Sequence, residues 1–162
     1  MNDTSKWSDL MIRLGSAILM VIIGLLALTF GGHVFHILVA VICGLMIWEL
    51  VRMVAPLNAP LALQLGALSA VASFVAIYLP TGFGLPLLLA PTFVGFAQLV
   101  RNRVVFMIFS VMVLLAGFGM MSVRDDLGFI WMLWLIVTVV ATDALGYFAG
   151  RMIGGPKFFP AV

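Results

Sequence analysis

Six runs of mostly apolar residues, each close to the length of a membrane crossing, are set apart by short clusters of charge, glycine and proline. The hydrocarbon core of a bilayer is about 30 Å thick and needs roughly 20 apolar residues in a helix to cross it. Read this way, the spans lie near 13–30, 34–53, 61–79, 85–100, 104–123 and 127–150. Gly31-Gly32 ends the first and Pro56 follows the second. Pro86 and Pro91 fall inside the fourth, which is therefore expected to be kinked or re-entrant. The first run is too long for the apolar part of a signal peptide, and a second follows at once. The expected fold class is all-α, a polytopic transmembrane bundle forming a single domain over 1–162.

Composition closes the other routes. The chain is 65% hydrophobic and 9% charged, where a soluble domain has about 45–50% and about 25%. A net charge of +2 is too small for a nucleic-acid footprint, so no nucleic acid is expected as partner. Cys43, the single cysteine, sits in an apolar run and reads as a small filler. Cationic residues orient the bundle. With the N-terminus inside, Lys6, Arg13, Arg52, Arg101, Arg103, Arg151 and Lys157 all fall on the inner side and only Arg124 outside. The positive-inside rule then favours six spans with both ends in the cytoplasm. Trp7 and Trp48 fall at the inner interface, Tyr78, Trp131 and Trp134 at the outer one. Arg124-Asp125-Asp126 reads as a solvated outer turn.

Ionisable residues inside spans are rare and tend to be functional. Two acids qualify. Glu49 is followed three residues later by Arg52, and a local ion pair at the headgroup level is the favoured reading. Asp143 lies well inside the sixth run. On its helical face follow Tyr147, Gly150, Arg151 and Gly154, at intervals of four, seven, eight and eleven residues. Thr142, Gly146, Gly150 and Gly154 form a small-residue row beside it, Gly155-Pro156 ends the helix, and Lys157 comes next. Arginine and lysine beside glycine backbone suit phosphate groups. A carboxylate beside them suits Mg²⁺, which takes one or two carboxylates plus substrate phosphates. From the residues alone, helix packing by the glycine row, with Arg151 and Lys157 as interfacial anchors, is an equal reading.

The segment Ala141-Thr142-Asp143-Ala144-Leu145-Gly146-Tyr147-Phe148-Ala149-Gly150-Arg151-Met152-Ile153-Gly154-Gly155-Pro156-Lys157 resembles a motif of the phosphatidate cytidylyltransferase (CDP-diglyceride synthase) family. There an Asp, a Tyr four on, Gly-Arg, a Gly and a Lys recur after a run of transmembrane helices. Trp48-Glu49 is similar to the family's N-terminal half. Two departures stand out: Gly146 replaces a common alanine, and Gly155-Pro156 displaces Lys157. Family members continue into a Ser-Pro-Lys-Lys-Thr segment and a C-terminal signature. The resemblance therefore implies an N-terminal part of a longer enzyme, inactive by itself.

The resemblance implies CMP transfer from CTP to phosphatidic acid, giving CDP-diacylglycerol and pyrophosphate in phospholipid synthesis. It implies Mg²⁺ as cofactor, CTP, phosphatidic acid and membrane lipid as partners, and a bacterial inner membrane with the active face cytoplasmic. A homodimer is compatible with it. The roles it implies are Asp143 for the metal, Tyr147 for orienting Asp143 or a substrate, Arg151 and Lys157 for phosphates, and Gly150 and Gly154 for close approach. Two other readings compete: a CTP-dependent polyprenol or lipid kinase, and a non-enzymatic transporter or structural subunit with one buried acid.

Overall fold

The computed structural model of the chain describes residues 3–153, with side chains from Met11 to Met152. Six helices follow one another: α1 Asp3–Phe30, α2 Gly32–Val54, α3 Ala59–Ala76, α4 Thr81–Gln98, α5 Arg103–Asp126 and α6 Phe129–Ile153. All six are long and apolar enough to cross a membrane. Connections of one to four residues make each helix antiparallel to the next. One end of the bundle therefore carries the starts of α2, α4 and α6, and the other the starts of α3 and α5.

The fourth run forms one helix with both prolines inside it. Each proline removes an N–H from the ladder, which a membrane helix tolerates when neighbours cover the freed backbone. Pro91 is buried against the bundle. Asn58 caps α3, its side-chain oxygen accepting from the Leu61 N–H at 3.3 Å, and Pro60 follows in the first turn where its missing N–H costs nothing.

Helices α2 to α5 form the packed body. Lipid tails are as apolar as leucine, so close backbone approach rather than hydrophobicity selects helix partners in a membrane. Gly44 of α2 and Gly66 of α3 show this. A Cβ on either would stand 2.8 Å from the other's carbonyl oxygen. Below this crossing Ile47, Val51, Leu61, Ala62, Leu65, Leu99 and Phe106 are buried together. Above it Phe35, Val39, Cys43, Ala76, Leu88, Leu114 and Met121 form a second cluster. Cys43 thus fills space among apolar neighbours. The Ser110 hydroxyl donates to Thr92 Oγ1 at 3.1 Å, joining α5 to α4 inside the body.

The first and last helices are peripheral. In α1, Ala27 and Leu28 of the final turn are buried, while most of the described side chains before them are exposed. The tie is made by Arg124, whose Nε donates to the Leu28 carbonyl at 2.9 Å. Its guanidinium lies over Gly31, which has φ +63 and connects α1 to α2. A side chain at Gly31 would meet both a strained backbone and the guanidinium.

The Arg124-Asp125-Asp126 cluster is therefore not a solvated turn but the last turn of α5, with two of its members engaged. Asp125 Oδ2 stands 2.9 Å from His36 Nε2. The reason is the antiparallel layout, which brings the end of α5 to the end of α1 and the start of α2. Arg124→Met is expected to lower stability by about 1.5–3 kcal/mol, the range for a hydrogen bond to a charged group. Thermal unfolding in detergent measures the loss, and disulfide trapping of cysteine pairs placed across α1 and α5 reports whether α1 has come away.

Candidate functional site

The charged face sits on α6, the least covered helix. Only 6% of its span is buried, against 44% for α2. Met132 is its one fully buried side chain among the described residues. From Val137 to Met152 every side chain is exposed. The regular apolar sequence makes the helix, and nothing described packs on this half of it.

Within this half the threonines are satisfied by their own helix. Thr138 Oγ1 donates to the Trp134 carbonyl at 2.8 Å, and Thr142 Oγ1 to those of Val139 and Thr138 at 2.8 and 3.0 Å. They therefore make no claim on Asp143. Its carboxylate is exposed and has no side-chain partner among the described residues. One turn on, Tyr147 is exposed and stacks edge-on against Phe148. One further turn on, Arg151 Nη1 donates to Tyr147 Oη at 3.2 Å. Because Arg151 supplies that proton, the phenol's own O–H remains available to donate toward Asp143.

The helix thus presents carboxylate, phenol and guanidinium in one line, with about 12 Å of rise between Asp143 and Arg151. A Cβ at Gly146 or Gly150 would meet nothing within 4 Å, so these glycines leave open surface beside the line. The arrangement can hold a cation at one end and a phosphate at the other. It is an open face of one helix, not a pocket. Gly154 and Lys157, the other two expected site residues, lie outside the described residues.

Among the described residues no three His, Cys, Asp or Glu side chains converge as a metal cage. A single free carboxylate still fits Mg²⁺, which keeps several waters and takes its remaining ligands from substrate phosphates. Glu49 does not form the expected ion pair. Arg52 instead lies over the Trp48 ring, 5.4 Å from its centroid, and Glu49 lines a groove of about 540 Å³ between α2 and α5 with Met46, Met53, Asn102 and Phe109. The ring face attracts the cation by about 0.5–1 kcal/mol at an exposed site.

A second polar cluster escaped the sequence reading. At the other end of α6's run, where α2 and α4 start, His33 Nδ1 and His36 Nδ1 lie 2.5 and 2.7 Å from the Tyr78 hydroxyl. The available signal was two histidines three residues apart at the start of an apolar run. Burial, and then the Asp125 carboxylate, hold the Tyr78 phenol above its ordinary pKa, so it stays protonated.

Comparison with known proteins finds a family match. A model of the cytidylyltransferase family covers residues 11–162, which include all six helices' apolar spans and the whole α6 motif. No curated protein and no solved structure matches the chain.

Proposed function

The chain belongs to the cytidylyltransferase family, and from that premise we propose that it serves CMP transfer from CTP to phosphatidic acid. As a family member it is a CTP-using nucleotidyltransferase, with six helices fit to cross a membrane. The observation that supports the finer reading is the α6 face. An unpartnered carboxylate, a phenol and an arginine stand in line on a helix otherwise made to sit in lipid. A lipid phosphate and a nucleotide triphosphate can reach such a face from two phases.

In this reading a phosphate oxygen of phosphatidic acid attacks the α-phosphorus of CTP. The bond to the β-phosphate breaks, and pyrophosphate leaves. Mg²⁺, when bound, supplies charge neutralisation between the two polyanions. Asp143 is the residue that would hold it. Arg151 binds phosphate oxygens in the planar, two-pronged manner of a guanidinium. Tyr147, held by Arg151, orients the Asp143 carboxylate. Gly150 lets a phosphate approach the helix. Gly154 and Lys157 are assigned to the same phosphates by resemblance alone. The active face is cytoplasmic, in a bacterial inner membrane.

Radiolabel position in CTP, given to a family member that carries the C-terminal signature, tests the reaction class. With phosphatidic acid as acceptor, label at the α-phosphate is expected in the lipid product and label at the γ-phosphate in pyrophosphate. Lipid labelled from the γ-phosphate alone would replace the transferase reading with a kinase.

A further inference from the structure

The cluster at the α2 start has the donor set of a metal site. His33 and His36 are one helical turn apart, so their rings lie on one face of α2. Both turn Nδ1 toward a single point, the Tyr78 hydroxyl, at 2.5 and 2.7 Å. Tyr78 comes from the turn between α3 and α4. His36 is 3% exposed, and its other nitrogen, Nε2, lies 2.9 Å from Asp125 Oδ2 of α5, off the N–H axis. An imidazole that binds a cation through one nitrogen characteristically faces a carboxylate with the other. Here Asp125 stands at hydrogen-bond distance from Nε2 without being aligned on its N–H.

We propose that His33, His36 and Tyr78 bind one borderline divalent d-block cation, zinc being the representative, with Asp125 as the carboxylate behind His36. Imidazole nitrogen selects such ions over hard cations. The bond lengths required are about 2.0–2.1 Å to nitrogen, so the cation enters between the three donors as the phenol draws back. Both histidines bind in the neutral form with the proton on Nε2. In His36 that proton lies beside Asp125, off the line to Oδ2, and a small turn of the ring on binding would align it. The phenol proton leaves to bulk water, and a water completes a four-coordinate shell. Charge supports the choice of a cation: Asp125 and Asp126 stand at this end, while the Arg124 guanidinium is turned to α1. The site joins α2, the α3–α4 turn and α5, and lies toward the opposite end of α6 from Arg151. It does not rest on the transferase reading.

The test uses the tag-free chain in detergent, stripped with chelator and then given Zn²⁺ or Mg²⁺. One zinc retained per chain by elemental analysis and a zinc-dependent rise in Tm are expected, with neither effect from Mg²⁺. His33→Ala changes an exposed residue and leaves the fold intact. It is expected to weaken zinc binding at least about tenfold, and Asp125→Asn to weaken it by a similar factor. With Cu²⁺ as probe, a phenolate-to-copper charge-transfer band is expected in the parent and absent in Tyr78→Phe. No zinc retained by the parent overturns the proposal. So does equal retention by His33→Ala, and both outcomes leave a hydrogen-bonded His–Tyr–His chain as the cluster's whole role.

Discussion

CMP transfer is expected to fall by about 10²–10³-fold when the position matching Asp143 is changed to asparagine in a family member that carries the C-terminal signature. That is the scale of losing one preorganised electrostatic contact at a reacting centre. The substitution keeps the shape and the helix and removes one negative charge. Because an uncharged side chain enters a membrane helix at lower cost than a carboxylate, the amount of protein in the membrane should not drop. Loss of rate at unchanged protein level therefore isolates chemistry from folding. Raising Mg²⁺ is expected to recover part of the rate, since the remaining ligands come from substrate phosphates and water. Near-normal transfer with ordinary Mg²⁺ dependence would remove Asp143 from the mechanism.

Gly44→Leu is expected to open the body of the bundle. The helix crossing leaves no room: a Cβ at Gly44 would stand 2.8 Å from both the Gly66 carbonyl and the Ala70 Cβ. Two backbones must separate, and with them the Ile47, Val51, Leu61 and Leu65 cluster. Overpacking of this kind costs about 3 kcal/mol at the upper end of its usual range. Gly66→Leu should cost about the same, and the double variant much less than the sum, because the first change already opens the crossing. Gly119 has nothing within 4 Å of its Cβ position, so Gly119→Leu should be close to neutral. Unfolding in mixed micelles measures all four variants.

Much of this was legible without coordinates, and the illegible parts have a common cause. Hydropathy marks a helix for the membrane but does not say whether its face meets lipid or another helix, because both are apolar. Six spans could be read, yet the division into four packed helices and two peripheral ones could not. The row Asp143, Tyr147, Arg151 followed from helical spacing, since all three are on one element. His33, His36, Tyr78 and Asp125 come from three separate parts of the chain, and no local period brings them together. Arg124 and Asp125 looked like solvent-facing charge for the same reason. Their partners, Leu28 and His36, are about 90 residues away in sequence.

The attachment of α1 has a mechanical outcome. Among its described side chains, burial is confined to Ala27 and Leu28, beside the Gly31 hinge and the Arg124 bond. A rod held at one tip is a lever with its fulcrum there. The span Met11–Phe30 has 20 residues, about 30 Å of rise. A swing of about 10° at the fulcrum sweeps the far tip through about 5 Å. Lateral pressure from the surrounding bilayer would thus register first as the tilt of this one arm.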